Sequence, residues 1–329
     1  MSAAGSITTK HRLVKWIQTH NFPAQNSFEQ KQAPRKTFFG DGVLYNDVAY
    51  GSEYPNSYMD IYRCEKGEEK HPLIFYVHGG GFTWGSKEDG DPNAGKKVSG
   101  DKLWFFKRFL AEGYDVVSVD YAFAPDYMYP TPVLQIQQAM EFLMAHGAEY
   151  ALDTDRLILC GSSAGGHIVG QYAAIQTNPD YASEMGTPQI LEPGQIKCIL
   201  FNSALIDPTR YDVTHNAGFD FLLRKCGQAY FGDKVMLQSA GAQQSNILSW
   251  VTAQYPPSFI SDGNSGSFYD QAKDLYKRLQ TLSVRTKLNI YPKSEVRLGH
   301  GYESFGDKYG YNNMEKMLEF LKQAMEGEL

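Results

Sequence analysis

The sequence predicts an α/β fold in which helices cover both faces of a mostly parallel sheet. Apolar runs of strand length alternate with longer helical segments from residue 72 onward, as in successive β-α units. Glycine-rich turns follow two of these runs, and parallel sheets gather such turns at the carboxyl ends of their strands. A functional site is therefore expected along that edge.

The elements can be assigned in chain order. Two strands near residues 43–50 and 58–62 form an antiparallel opening pair. The alternating elements that follow are strand 73–77, helix 103–111, strand 115–119, helix 133–146, strand 155–160, helix 164–174, strand 196–202, helix 270–279, strand 288–291 and a helix from about 312 to 325. One large sheet with an insert accounts for 329 residues, so we predict a single domain over residues 1–329.

Charge and composition narrow the range of partners. The formal charge is −6, from 31 basic and 37 acidic residues, which gives no indication of binding to nucleic acid or to an anionic membrane. No apolar run approaches the roughly 18 residues of a membrane span, and the first residues lack the apolar core of a signal peptide. The four cysteines are widely spaced, and Cys160 and Cys198 fall in predicted core strands. Reduced, buried thiols favour a cytoplasmic location.

The segment Gly161-Ser162-Ser163-Ala164-Gly165 has the pattern GxSxG between a predicted strand and a predicted helix. Glycine at both ends suits a sharp strand-to-helix turn, where a larger side chain would collide with neighbouring backbone. The turn exposes the hydroxyl of Ser163 as a nucleophile, whereas Ser162 lies before its apex. The amide of Ala164 opens the helix and is a natural oxyanion donor. A glycine-rich turn with an incidental serine is the alternative.

A second glycine-rich segment, His78-Gly79-Gly80-Gly81-Phe82, follows the strand 73–77. Three successive glycines allow the backbone to turn its amides toward a ligand, such as the oxyanion of a tetrahedral intermediate. We expect His78 to hold this turn and not to transfer protons. The segment lacks the GKS or GKT ending of a phosphate-binding P-loop and the spacing GxGxxG.

His300 is the candidate base. It lies in Gly299-His300-Gly301-Tyr302, a loop after the last predicted strand, and flanking glycines let the imidazole approach a serine. A structural or surface role is the alternative. The remaining histidines form no pair with metal-ligand spacing, and neither HExxH nor CxxC is present, so no metal is predicted.

Four segments together resemble a known family: His78 to Phe82, Asp120 to Pro125, Gly161 to Gly165 and His300 to Tyr302. With them the chain resembles the bacterial hormone-sensitive-lipase-like carboxylesterases of the α/β-hydrolase fold. The resemblance implies that Ser163 is the nucleophile and His300 the general base. It also implies an oxyanion hole made by the amides of Gly80, Gly81 and Ala164.

The family's triad acid is missing from its usual place. Aligned on Gly263, that position holds Gly266, although a serine-histidine pair needs a group to orient the imidazole. Three aspartates are candidates. Asp270 ranks first because it lies on the same loop, Asp207 second because it follows the preceding strand, and Asp262 third because a strand end can point away. Helix capping is the alternative for Asp270, and a dyad completed by a backbone carbonyl or water stays open.

The regular alternation stops over residues 206–255, where this family keeps its cap. We interpret this stretch as a helical cap-like insert over the serine, to which an N-terminal extension, residues 1–40, would add. Packing in the core is the alternative for most of its apolar side chains, which are Phe219, Phe221, Leu222, Leu223, Tyr230, Phe231, Ile247, Leu248 and Trp250.

The expected activity is two-step hydrolysis of a short-chain acyl or aryl ester through an acyl-serine, with no cofactor. An amidase, formamidase or peptidase on the same fold is the nearest alternative. A non-catalytic hydrolase-fold protein that binds a ligand is another, favoured by Gly266 and opposed by Ser163 and His300. The expected partner is a small-molecule ester, with a homodimer left open beside a monomer.

Overall fold

A nine-stranded sheet organises the part of the chain that this computed structural model describes, which comprises residues 11–20, 26–31, 33, 35–39, 42–66, 70–91, 103–232 and 235–327. The strands are β1 (Lys36–Phe39), β2 (Gly42–Ala49), β3 (Tyr58–Cys64), β4 (Pro72–Val77), β5 (Asp115–Val119), β6 (Asp153–Ser162), β7 (Ile196–Asn202), β8 (Ser258–Ser261) and β9 (Thr286–Asn289). Their order is β1-β2-β3-β5-β4-β6-β7-β8-β9. The first three pairings are antiparallel, and those from β5 to β9 are parallel.

Helices cover both faces of this sheet. They are α1 (Arg12–His20), α2 (Leu103–Ala111), α3 (Thr131–His146), α4 (Ala164–Thr177), α5 (Pro179–Met185), α6 (Ala217–Phe231), α7 (Ala240–Gln244), α8 (Ile247–Trp250), α9 (Tyr269–Thr281) and α10 (Lys308–Met325). Helices α3 and α4 contribute to one hydrophobic core, and α2 and α10 contribute to the core on the opposite face. The prediction of an α/β fold with a mostly parallel, doubly covered sheet is confirmed.

The central strands read as continuous apolar runs because both of their faces are buried. From Leu73 to Val77, the side chains of β4 are at most 2% exposed. Such burial makes these strands easy to find in the sequence, and β5 and β7 have the predicted bounds.

Two elements near the end of the chain differ from their predicted bounds. Strand β9 lies two residues earlier than predicted. Helix α10 begins at Lys308, four residues before the predicted start, because the Asp307 carboxylate accepts hydrogen bonds from the amides of Tyr309 and Gly310, each at 2.9 Å. The prediction overlooked this N-cap.

Within residues 206–255, the described ranges 206–232 and 235–255 form helices α6, α7 and α8 and short turns. Helix α6 contacts α1, and its Tyr230 stacks on Phe82 of the glycine loop with ring centroids 3.8 Å apart. In α1, Gln18 donates hydrogen bonds to the carbonyls of Thr83 and Ala124 at 2.6 and 2.9 Å. Both elements are therefore attached to the loop that follows β4. Residues 1–10 and 21–25 of the predicted N-terminal extension lie outside the described residues.

Candidate active site

Ser163 occupies the turn between β6 and α4 in a strained conformation. Its φ and ψ are 54° and −116°, values that a residue with a Cβ adopts at a cost of about 1–3 kcal/mol. The turn is held by the Ser163 amide, which donates to the carbonyl of Asn202 at 2.9 Å. A Cβ at Gly161 would stand 2.5 Å from the backbone carbon of Gly165, so the first glycine is required. The local sequence thus produces the turn that presents the hydroxyl.

We expect Gly165→Ala to lower the free energy of unfolding by at least about 3 kcal/mol. A Cβ there would stand 2.1 Å from the carbonyl oxygen of Val77 and 2.4 Å from that of His78, and backbone atoms cannot rotate away. Urea unfolding measures the loss. Gly299→Ala is the matched control, because a Cβ at that position meets nothing within 4 Å. Equal losses in the two variants would contradict the steric explanation.

His300 lies against the serine. Its Nε2 is 2.9 Å from Oγ of Ser163, and its Nδ1 is 2.8 Å from Oγ of Ser267. The rings of Phe219 and Phe268 lie beside the imidazole, with centroids 5.1 and 5.3 Å away. Burial lowers the pKa of His300 to about 4, so the imidazole is neutral at pH 7.

A buried carboxyl group stands behind Ser267. The Ser267 hydroxyl donates a hydrogen bond to Oδ1 of Asp262, which is fully buried at the end of β8. When Asp262 is ionised, the single hydrogen of that hydroxyl is donated to Asp262, and the hydroxyl oxygen accepts from Nδ1–H of His300. This arrangement leaves the Nε2 lone pair facing Ser163. Ser267 was missed in the sequence, although it is adjacent to Gly266, the position of the family's acid.

The two aspartates that ranked above Asp262 do not reach His300. The half-exposed Asp270 accepts from Nε2 of His215 at 3.0 Å, because the first turn of α9 directs it toward the insert. Asp207 caps the turn that begins at Pro208 and pairs with Arg210 at 2.8 Å. The geometry corrects the ranking, since the third candidate is the one connected to the imidazole.

The glycine loop passes directly beside the serine. A Cβ at Gly79 would stand 3.2 Å from Cβ of Ser163, so the two backbones are in close approach. Gly80 and Gly81 have φ of +109° and +60°, which turn the chain there. Among the described residues, the amides of Gly80, Gly81 and Ala164 donate no hydrogen bond. These three amides are thus available to a ligand.

His78 and Asp120 support the loop from behind. The His78 ring stacks on Tyr121 with centroids 4.4 Å apart, and its Nε2 lies 3.3 Å from Oδ1 of Asp120. Burial alone would raise the pKa of Asp120, but Lys31, His78 and Lys87 outweigh that effect and hold the pKa well below its usual range. His78 therefore faces a permanent carboxylate and not the serine.

Lys87 anchors the same loop inside the protein. Its fully buried ammonium contacts Asp47 and lies 2.6 Å from Oδ1 of Asp60, and its amide donates to Asp120 at 2.6 Å. Burial would lower the pKa of Lys87, but Asp60, Asp120 and Asp47 together raise it. The cluster joins the segment after the glycine loop to strands β2, β3 and β5.

We expect Lys87→Met to lower the free energy of unfolding by about 3–5 kcal/mol, because Asp47 and Asp60 would lose the cation that compensates their burial. Lys15→Met is the control. The Lys15–Asp126 pair is solvent-exposed, so its loss should cost under about 1 kcal/mol. Thermal and urea unfolding of both variants give the comparison. A loss at Lys87 no larger than that at Lys15 would show that the cluster is not stabilising.

A second buried carboxyl group lies close to the histidine. Glu303 accepts hydrogen bonds from the Ser203 hydroxyl at 3.0 and 2.9 Å, and that hydroxyl oxygen accepts from the amide of Gly301 at 3.0 Å. Neither Ser203 nor Glu303 was predicted. A signal for Ser203 exists in hindsight, because it directly follows β7 at the carboxyl edge where the site was expected.

In the described ranges, no group of three or more His, Cys, Asp or Glu side chains is arranged to bind a metal ion. None of the helices in these ranges combines the length and the apolar character that crossing a membrane requires. All four cysteines are buried, and none of them forms a disulfide, as predicted.

The serine turn and the glycine loop follow adjacent parallel strands, β6 and β4, which is the arrangement of the α/β-hydrolases. The pattern of one family, BD-FAE, matches residues 59–279. The chain therefore belongs to the BD-FAE family of α/β-hydrolase esterases, and the fold implied by the motif resemblance is confirmed.

Individual proteins agree with this assignment. Esterase LipI of Mycobacterium tuberculosis is 26% identical over 239 residues, which cover 71% of this chain and 66% of that protein. Carboxylesterase NlhH of the same species is 26% identical over 243 residues, covering 71% and 67%. The chain spans about two thirds of the length of these relatives.

Solved structures show the same fold. Esterase B from Lactobacillus rhamnosis superposes with a TM-score of 0.73 at 18% identity, covering 89% of each chain. An esterase from the bacterial hormone-sensitive lipase family superposes with a TM-score of 0.63 at 21% identity, covering 88% of this chain and 86% of that chain.

Proposed function

We propose that the protein hydrolyses carboxylic esters with a short acyl or aryl group through an acyl-serine intermediate. The observation that carries the proposal is the 2.9 Å contact between Nε2 of His300 and Oγ of Ser163 on a strained strand-to-helix turn. A neutral imidazole beside a part-buried serine hydroxyl is the arrangement that activates this nucleophile. Membership of an esterase family supports the same reaction.

In the first step His300 takes the hydroxyl proton as Ser163 attacks the ester carbonyl. The carbonyl oxygen becomes an oxyanion, and the amides of Gly80, Gly81 and Ala164 are the donors that we assign to it. Each donor of this kind lowers a barrier by roughly 3 kcal/mol. The alcohol then leaves with the proton from His300.

In the second step water hydrolyses the acyl-serine. His300 takes a proton from the water as it attacks the carbonyl, and returns that proton to Ser163 when the acid leaves. Ser267 and Asp262 hold the imidazole in the required tautomer and stabilise the imidazolium that forms in each step. We assign Asp262 the role of triad acid, acting through Ser267.

The surroundings of the serine suit an uncharged ester. Phe219 and Phe268 lie against His300, and Trp84 lies next to Gly80. We propose that residues 206–255 form the cap above this wall, because α6 provides Phe219 and packs on the glycine loop. Apolar and aromatic walls favour an acyl or aryl group over a charged one.

The four cysteines are buried thiols that form no disulfide, which favours a reducing compartment, and we propose the cytoplasm. The sequence left the choice between a homodimer and a monomer open, and light scattering on the purified protein would test it.

A substrate panel with covalent labelling tests the function. p-Nitrophenyl esters from acetyl to palmitoyl, with feruloyl and galloyl esters, are compared with the p-nitroanilide of the acyl group that is cleaved fastest. We expect ester turnover to exceed anilide turnover, and a fluorophosphonate to label Ser163, located by peptide mass spectrometry. Faster anilide cleavage would establish the amidase alternative. Folded protein that neither labels nor turns over any ester would be a non-catalytic binding protein.

A further inference from the structure

Asp262 has a second carboxyl group as its neighbour. Glu303 lies in the short turn Tyr302–Ser304, three residues after His300, and is 2% exposed, while Asp262 is completely buried. The hydroxyl of Ser203 hydrogen-bonds to Glu303 and lies against Asp262 as well. The two acids thus occupy one interior site behind the imidazole.

Within the described part of the chain, no cation compensates the charge of this site, since neither carboxyl group forms an ion pair. The titratable groups that face the pair are Tyr302 and, through Ser267, His300. Two carboxylates this close and this buried ionise one after the other, because the first charge opposes the second.

Hydrogen-bond donors decide which carboxyl group ionises first. Both oxygens of Glu303 accept from Ser203, and the Ser261 hydroxyl and backbone amides also stabilise its charge. The charge of Asp262 is stabilised by the hydroxyls of Ser267 and Ser203 and by the amide of Gly263, but its Oδ2 has no hydrogen-bond partner. The first negative charge therefore resides on Glu303. Burial, with the added effect of Glu303, raises the pKa of Asp262 well above its usual range, and burial raises that of Glu303 to about 7.

We propose that Glu303 is a positioning residue that controls the ionisation of Asp262 and, through Ser267, which nitrogen of His300 carries the hydrogen. The proposal rests on the proposed function, in which Nε2 must be free to accept the proton of Ser163. A catalytic triad contains one acid, and the proposal gives Glu303 a role as a second acid in the same site.

The two states of Asp262 follow from the hydrogens available. When Asp262 is ionised, Ser267 donates to it and accepts from Nδ1–H, so Nε2 faces Ser163 without a hydrogen. When Asp262 is protonated, its hydroxyl donates to Ser267, and Ser267 donates to Nδ1. The imidazole hydrogen is then on Nε2, which cannot accept from Ser163. Ionisation of Asp262 releases one proton to solvent and produces the active tautomer.

The pH dependence of the reaction tests this control. Activity in the wild type should fall on the acid side at a pH set by Asp262, far above the value of about 4 that His300 alone would give. Glu303→Gln keeps the size of the side chain and an acceptor for Ser203 but removes the charge that opposes Asp262. We expect the pH of half-maximal kcat/KM to fall by about one unit or more. At an acidic pH where the wild-type kcat/KM is well below its maximum, a one-unit shift means that the variant retains about ten times more of its own maximal kcat/KM than the wild type does.

Glu149→Gln is the matched control, since Glu149 is exposed and pairs with His146 at the surface. Its profile should coincide with the wild type. A Glu303→Gln profile that also coincides with the wild type, or moves to higher pH, would overturn the proposal. Fluorophosphonate labelling of Ser163 at the plateau pH separates the two hypotheses. If Ser163 is not labelled, the proposed function is wrong. If Ser163 is labelled but the pH profile of Glu303→Gln is unchanged, only the role of Glu303 is wrong.

A measurement on the unaltered protein covers the case in which Glu303→Gln does not fold. Infrared difference spectra of protein carrying ¹³C-labelled aspartate report the carbonyl stretch of a protonated aspartic acid. Burial also raises the pKa of Asp60 and of Asp115, in each case to about 6, so the band of Asp262 is assigned as the one that Asp262→Asn removes. We expect that band to persist at pH 7 and to disappear as the pH is raised. Its absence already at pH 5 would contradict the control of Asp262 by Glu303.

Discussion

Replacing Ser163 by alanine should lower kcat for p-nitrophenyl acetate by about 10⁶-fold and abolish fluorophosphonate labelling. His300 contacts this hydroxyl, which is the proposed nucleophile, so the acyl-enzyme cannot form without it. Binding and the oxyanion donors would leave a small residual rate over water. Because alanine retains a Cβ, the strained backbone of the turn is unchanged, and the loss is chemical.

The adjacent Ser162 is the matched control for this experiment. Ser162→Ala removes a hydroxyl one residue earlier, on the last residue of β6, and should keep most of the activity. Circular dichroism and urea unfolding should show both variants folded. If Ser163→Ala retained more than about one hundredth of the wild-type rate, the acyl-serine mechanism would be wrong.

The nucleophile turn and the glycine loop could be predicted because short-range sterics determine them. A sharp turn between a buried strand and a helix requires Gly161 and Gly165, and the sequence supplies both between recognisable elements. The placement of His300 was predicted from its loop and from the resemblance, and the structure brings its ring to the serine.

The link between the histidine and a carboxyl group could not be read from the sequence. Asp270 is close to the family's acid position along the chain, but the first turn of α9 directs it toward His215 of the insert. In the structure, Ser267 lies between Asp262 and the imidazole. The spacing of residues along the chain does not reveal whether the serine or the aspartate contacts His300 directly. That order is determined by the tertiary structure.

The charged cluster around Lys87 was missed for a related reason. Its partners Asp47, Asp60 and Asp120 belong to or directly follow three different strands, and sheet pairing brings them together inside the protein. Each aspartate alone looks like a residue of a polar turn. The pairing of these strands makes the aspartates a buried support for the oxyanion loop.

Exchanging aspartate for asparagine at positions 262 and 270 should separate the two candidate acids. We expect Asp262→Asn to lower kcat/KM by about 10³ to 10⁴-fold, because the amide can donate to Ser267 and so favours the tautomer with hydrogen on Nε2. Asp270→Asn should retain near wild-type activity, since it removes an exposed contact with His215. Steady-state kinetics with p-nitrophenyl acetate at the plateau pH measures both.

Ser267→Ala extends the comparison, because it cuts the connection between Asp262 and the imidazole while leaving the carboxyl group in place. Groups that act as one unit show strongly non-additive losses. The double variant Asp262→Asn/Ser267→Ala should therefore be about as slow as the slower single variant. Losses that multiply would mean that Ser267 orients His300 independently of Asp262. A large loss in Asp270→Asn with none in Asp262→Asn would return the acid to the loop position that the sequence first suggested.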